Sequence, residues 1–102
     1  MNEIQRKVKR FVKLHKLECK PEFRFLDLVS ELGEFAKEII NATDYGRKKF
    51  RFREKIKAEL GDVLFSLLAL ANQLNIDVEK ALEFALKKYE KRIKERGKPS
   101  SS

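Results

Sequence analysis

Helical periodicity is the feature that most limits the fold of this chain. Apolar residues recur at intervals of three and four along most of its length, and no segment alternates with period two for long enough to form a strand. Only four glycines and two prolines interrupt the pattern. We therefore predict an all-α protein that forms an antiparallel, four-helix bundle-like fold.

Four segments carry this periodicity. We predict helices over residues 3–17, 22–42, 54–74 and 78–96. The 102 residues favour one domain, which we place at residues 1–97, with residues 98–102 as a disordered tail. A domain of this size has a modest core, so we expect self-association to complete it.

Local residues indicate where these helices begin and end. Asp77 is the expected N-cap of the fourth helix, and Gly97 and Pro99 stop it. Gly46 is the expected left-handed residue after the second helix. The basic segment 47–53 then leads to the third helix.

Charge and hydropathy narrow the classes of function. The net charge of +8 suits a polyanionic partner such as a nucleotide, a nucleic acid or an acidic membrane surface. The longest uncharged run, residues 63–76, is too short to span a bilayer. The N-terminus has no apolar signal-peptide core, and the single Cys19 cannot form an intrachain disulfide. We expect a cytoplasmic protein that does not bind a membrane.

The second helix carries an unusual stripe of negative charge. Asp27, Glu31, Glu34 and Glu38 recur at i, i+4, i+7 and i+11, and so share one face. Lys37 is the only basic residue between residues 25 and 42 of this otherwise basic chain. A solvated face of a basic protein would more often interleave lysines with the acids.

The third helix also places carboxylates where they are costly. It is apolar on most sides from residue 60 to residue 74, yet Glu59 and Asp62 lie at its start. No lysine or arginine occurs between Lys57 and Lys80 to pair with them. Carboxylates beside apolar surface need a partner or a metal ion.

Each of the two helices therefore offers a carboxylate pair at i, i+3. If the helices pack side by side, Glu31, Glu34, Glu59 and Asp62 converge, and such an all-oxygen set suits Mg²⁺, with Mn²⁺ as an alternative. A single pair of this kind is more often an ordinary solvated feature. The two pairs together favour the metal site. Helical periodicity by itself supports no conclusion beyond this site.

At these residues the sequence resembles the MazG-like, all-α nucleoside triphosphate pyrophosphohydrolase superfamily. The residues that carry the resemblance are Glu31-Leu32-Gly33-Glu34 and, after a spacer, Glu59-Leu60-Gly61-Asp62. They are similar to the family's ExxE…ExxD signature, and the resemblance extends over residues 25–96. One departure is Ser30, since many members have an acidic residue at that position.

The resemblance implies the reaction and its requirements. We expect Mg²⁺-dependent hydrolysis of a nucleoside triphosphate to its monophosphate and pyrophosphate, by a homodimer or homotetramer. It also implies a house-cleaning role against noncanonical nucleotides, although some relatives act on dUTP or phosphoribosyl-ATP.

Further residues have candidate roles in this reaction. Glu34 and Glu38 are candidate catalytic carboxylates, the latter as a general base one turn beyond Glu34. Lys88 and Arg92 lie one turn apart and are candidates for binding a phosphate, although a solvated surface explains them as well. Asn72, a polar residue in an apolar run, is a candidate for contacting ribose or base. A contact with a neighbouring helix is the favoured alternative for Asn72.

Two other classes of function compete with the enzyme. A nucleic-acid-binding helical module would explain the charge and the basic segment with its interleaved phenylalanines. It leaves the clustered carboxylates unexplained, because they would repel phosphates without a metal, so we do not expect nucleic acid as the partner. A catalytically inactive MazG-like assembly protein would form an oligomer indifferent to Mg²⁺ and nucleotides.

Overall fold

The computed structural model describes residues 1–100 as four α-helices. They are α1 (Glu3–Leu14), α2 (Pro21–Asn41), α3 (Glu54–Gln73) and α4 (Val78–Arg96). No strand occurs in residues 1–100, which confirms the all-α prediction. Residues 101–102 of the predicted tail lie outside the described part of the chain.

The predicted helix ends are largely confirmed. The Asp77 carboxylate caps α4 by accepting hydrogen bonds from the backbone N–H groups of Glu79 and Lys80 at 3.0 and 3.3 Å. Gly97 ends α4 with φ of 77°, and Gly46 has φ of 84° in the turn after α2.

The end of α1 differs from the sequence prediction. This helix stops at Leu14, three residues before the predicted end at Leu17. Lys16 adopts a φ of 53°, outside the range of a right-handed helix, and the Leu17 N–H turns back to donate to the Val12 carbonyl at 2.9 Å.

The central helix is α3, which packs against both α2 and α1. The α1–α3 contact runs antiparallel, because Gln5 contacts Asn72 while the Phe11 ring lies edge-on to Phe65, with centroids 5.9 Å apart. Most of the buried apolar residues belong to α3. The buried apolar set is Leu28, Ala42, Ile56, Leu68, Ala69, Leu70 and Ala71.

A fully buried polar side chain, Gln5, ties α1 to the α3–α4 turn. Its amide nitrogen donates to Asn72 Oδ1 at 3.1 Å and to the Ile76 carbonyl at 2.8 Å. Its amide oxygen accepts from the Val78 N–H at 2.8 Å, and Asn72 Nδ2 donates to the Gln5 carbonyl at 2.9 Å. These bonds satisfy a buried amide that would otherwise destabilise the core.

The fourth helix projects away from this core and buries none of its residues. Leu82 and Phe84 remain 58% and 74% exposed, and the radius of gyration is 16.8 Å against about 13 Å for a compact domain of this length. Within residues 1–100, no helix has the length and apolar character needed to cross a membrane. The apolar side of α4 is therefore uncovered in a single chain, and self-association stays a prediction.

Candidate metal centre

Three of the four predicted metal ligands come together where α2 faces α3. Glu31, Glu59 and Asp62 each offer one carboxylate oxygen, and these oxygens all lie within 4.8 Å of one another. Glu31 and Glu59 are half-buried, whereas Asp62 is exposed. We call these three residues the acidic cluster.

The fourth predicted ligand, Glu34, lies on α2 beside the cluster but outside this group of three. Its side chain is exposed, and its negative charge acts on Glu31. Since Glu34 follows Glu31 by three residues, the two side chains neighbour each other on the helix surface. Its role as a metal ligand stays a prediction.

The electrostatic state of Glu31 reflects this crowding. Desolvation is the largest of the effects that raise the pKa of Glu31 above its ordinary value of 4.5. Nearby negative charges raise this pKa further, and they belong to Asp62, Glu59, Glu34 and Asp27. Glu31 therefore resists ionisation as long as no cation balances the negative charges around it.

The donor chemistry of the cluster fits a divalent cation. In residues 1–100, no lysine or arginine lies within 4.0 Å of the carboxylate oxygens of Glu31, Glu59 or Asp62. Oxygen ligands of Mg²⁺ at 2.0–2.1 Å lie at most about 4.2 Å apart, close to the separation found here. An all-oxygen, anionic set without internal counterions suits Mg²⁺ or Mn²⁺.

A buried carboxylate lies farther along the same face of α2. Glu38 is 5% exposed, and its oxygens lie 3.3 Å from Lys55 Nζ and 3.6 Å from Arg53 Nη1. Its atom Oε2 is buried and receives no hydrogen bond from residues 1–100. Glu38, predicted as a catalytic base, is thus paired with two cations at the start of α3.

A buried cation lies toward the other end of this face. Arg24 is 6% exposed, and its guanidinium donates to the Leu17 carbonyl at 2.6 Å and lies 3.9 Å from Asp27. The same guanidinium lies 5.8 Å from the centre of the Phe65 ring. The antiparallel α2–α3 contact therefore has Arg24 toward one end, the acidic cluster between, and Glu38 with Lys55 toward the other.

Arg24 and Lys55 are not among the site residues predicted from the sequence. Arg24 precedes Glu31 by seven residues, and Lys55 precedes Glu59 by four, so helical spacing places each on the same face as a predicted ligand. This helical spacing was the sequence signal that could have identified Arg24 and Lys55 as neighbours of the site. Asp27 lies on the same helix as Arg24, but the other partners, the Leu17 carbonyl and Glu38, lie on other segments and cannot be read from spacing alone.

Asn72 lies away from the acidic cluster, at the α1–α3 contact. Its side chain both donates to and accepts from Gln5, as the favoured alternative expected, and it borders a cavity of about 220 Å³. The cavity lining includes Val12 and Ala69 but no carboxylate of the cluster. The donor chemistry of the cluster, rather than the size of this cavity, identifies the candidate centre, and substrate contact by Asn72 stays a prediction.

The two predicted phosphate-binding cations lie on α4. Lys88 Nζ is 5.3 Å from the centre of the Tyr89 ring, and Arg92 Nη1 donates to the Pro99 carbonyl at 3.4 Å. Neither forms an ion pair with the cluster within residues 1–100. Their role in binding a phosphate remains a prediction.

The chain is similar to known proteins in both sequence and fold. The chain is 37% identical over 100 residues to YpjD, an uncharacterised protein of Bacillus subtilis (strain 168), covering 94% of this chain and 88% of that protein. The crystal structure of YpjD from Bacillus subtilis matches with a TM-score of 0.72 and 36% identity, over 87% of this chain and 91% of that chain. The crystal structure of the Bacillus-conserved MazG protein, a nucleotide pyrophosphohydrolase, matches with a TM-score of 0.72 and 33% identity, over 85% of each chain.

A family model defines the relationship more closely. The model of the MazG nucleotide pyrophosphohydrolase domain matches residues 21–97, a range that holds α2, α3, α4 and all four predicted ligands. The chain belongs to the MazG nucleotide pyrophosphohydrolase family.

Proposed function

We propose that this protein is a Mg²⁺-dependent pyrophosphohydrolase that converts a nucleoside triphosphate to its monophosphate and pyrophosphate. The observation that carries the proposal is the convergence of Glu31, Glu59 and Asp62 within 4.8 Å, with no cation from residues 1–100 to balance them. Family membership supports a hydrolase acting on nucleotides. A role in removing noncanonical nucleotides from the cytoplasm is part of the proposal.

The acidic cluster and Glu34 would hold the divalent cation. When bound, Mg²⁺ supplies a Lewis acid that offsets the negative charge of the triphosphate. Mn²⁺ has the same preference for oxygen ligands and is the alternative ion. Because three of these carboxylates already converge, most of the electrostatic cost of gathering them is borne in the folded protein before any ion binds.

Where the metal does not saturate it, Glu34 is the carboxylate best suited to take a proton from the attacking water. Its side chain is exposed and has no ion pair within residues 1–100, so it is accessible to water and can accept a proton. The bond that breaks joins the α and β phosphoryl groups, water supplies the new oxygen, and pyrophosphate leaves. Glu38 is less suited to this role because it is buried and its oxygens face Lys55 and Arg53.

A second copy of the chain would complete the substrate site. The uncovered apolar side of α4 supports a homodimer or homotetramer. Burying this side would place Lys88 and Arg92, which lie on the same helix, beside the second copy of the chain. Two cations one turn apart suit a phosphate group. In this proposal they bind the triphosphate within the assembled oligomer.

The test is a pyrophosphate-release assay with a panel of canonical and modified nucleoside triphosphates, in Mg²⁺ and in EDTA. We expect release of pyrophosphate and monophosphate in equal amounts with Mg²⁺, and none in EDTA. Failure across the whole panel with a folded sample would contradict the proposal and favour an inactive assembly protein. Salt-sensitive binding to arbitrary DNA or RNA, without turnover, would instead favour the nucleic-acid-binding alternative.

A further inference from the structure

We propose that Glu38 is a positioning residue that holds Lys55 away from the acidic cluster and so keeps the cluster free to bind a divalent cation. This inference rests on the proposed function, because it concerns the same metal site. It assigns Glu38 a role that needs neither proton transfer nor contact with the metal.

The first support is the burial of Glu38. An ionised carboxylate that is 5% exposed is costly unless cations balance it, and Lys55 and Arg53 are its ion-pair partners in residues 1–100. Lys55 Nζ lies at 3.3 Å, the shorter of the two distances. Although the Lys55 side chain is 63% exposed, its Nζ lies against the buried carboxylate across the α2–α3 contact.

The second support is the position of Lys55 on α3. Lys55, Glu59 and Asp62 are spaced i, i+4 and i+7, so they share one face of the helix. A lysine and a glutamate four residues apart on a helix are neighbours and commonly pair. Here Lys55 pairs with Glu38 across the helix contact, and no ion pair joins it to Glu59.

The consequence concerns competition for the carboxylates. A lysine freed from Glu38 lies about one turn, roughly 6 Å, from Glu59 and would swing toward the most negative surface nearby. Its positive charge would then occupy a carboxylate that a divalent cation needs. Glu38 prevents this by offering the lysine a nearer and more buried partner.

The experiment measures Mn²⁺ affinity by calorimetric titration of the full chain, without nucleotide. Glu38→Gln keeps the shape of the side chain and removes its charge, and we expect Mn²⁺ affinity to fall about tenfold. Adding Lys55→Gln to this variant should restore affinity to within about twofold of the wild-type value, since no lysine then competes. A purely structural role for Glu38 predicts no such recovery.

A matched control separates this local effect from the overall change in charge. Lys57 is exposed, lies two residues from Lys55 on α3, and has no ion pair within residues 1–100. Adding Lys57→Gln to Glu38→Gln changes the net charge equally, and it should leave the affinity low. Equal recovery with Lys57→Gln, or no recovery with Lys55→Gln, would overturn the proposal.

Further controls cover failure to fold and failure of the metal site itself. If Glu38→Gln does not fold, Lys55→Gln alone is informative: we expect its affinity within about twofold of wild type, whereas a gain above about fivefold would show that Lys55 already occupies the cluster. A wild-type protein that binds no Mn²⁺ would contradict the metal site and the inference together. Normal binding by both wild type and Glu38→Gln would contradict the inference alone.

Discussion

Glu31 of α2 and Asp62 of α3 place carboxylate oxygens within 4.8 Å of each other, although the residues are far apart in the chain. Each carboxylate makes the local electrostatic potential more negative. The charge of Asp62 contributes to the raised pKa of Glu31. This closeness of the two carboxylates is unfavourable for the stability of the metal-free protein and favourable for binding a metal ion. The carboxylates repel one another in the folded protein, and the same concentration of negative charge attracts a divalent cation.

The first prediction is that neutralising Asp62 lowers the activity of the protein and raises its thermal stability in the absence of metal. In Asp62→Asn, pyrophosphate release should fall at least about 100-fold. Losing a residue that only hydrogen-bonds a metal ligand already costs about 10–100-fold, and Asp62 is proposed to bind the metal directly. In EDTA the variant should melt a few degrees higher than wild type, since relieving about 0.5 kcal/mol of repulsion shifts Tm by roughly 2–4 °C. Glu83→Gln, an exposed change on α4, serves as the control. Full activity in Asp62→Asn would refute the site.

The second prediction concerns the pH dependence of the metal-free protein. Because the folded-state pKa of Glu31 is raised, its contribution to stability is fully present below the unfolded pKa and is lost as pH rises through the folded pKa. The Tm of wild type relative to Glu31→Gln should therefore decline as pH increases above about 4.5. Thermal melts of both proteins in EDTA across this range measure the difference. A constant difference would argue against the electrostatic crowding of Glu31.

The third prediction concerns the buried amide of Gln5. Gln5→Leu leaves the Val78 N–H and Asn72 Oδ1 without their buried partner, so we expect a loss of about 2–3 kcal/mol in the free energy of unfolding. Urea unfolding measures this loss, and Lys7→Ala on the exposed side of α1 is the comparison. A loss no larger than that of the control would mean that the Gln5 hydrogen bonds add nothing to stability.

The fourth prediction concerns the uncovered side of α4. If this side forms the interface between copies, Leu82→Glu and Leu86→Glu should each weaken association at least about tenfold, which corresponds to about 1.4 kcal/mol. Sedimentation over a range of concentrations would show the shift toward monomer, while Glu83→Gln should behave as wild type. An unchanged oligomer in both leucine variants would place the interface elsewhere.

Helical periodicity was sufficient to predict four helices and most of their ends. The cap at Asp77 and the stop at Gly97 are local, so they follow from the residues themselves. The end of α1 depends on the left-handed conformation of Lys16. Lysine rarely adopts this conformation, so the sequence does not predict a turn there.

The candidate site shows a similar division between local and tertiary information. Glu31, Glu59 and Asp62 were predictable because repeated spacing puts each on a helix face, and packing of α2 on α3 then brings them together. The burial of Gln5, Arg24 and Glu38 was not predictable, because it depends on which segments cover them. The same limit applies to α4, whose periodicity identifies an apolar side but not what covers it.

The most direct test of the central claim is diffraction from crystals of the protein grown with Mn²⁺, using the anomalous signal of the metal. We predict an anomalous peak bonded to carboxylate oxygens of Glu31, Glu59 and Asp62, and its absence in crystals of Asp62→Asn. A well-ordered acidic cluster with no peak, or a peak held by other residues, would contradict the assignment of this cluster as the metal centre.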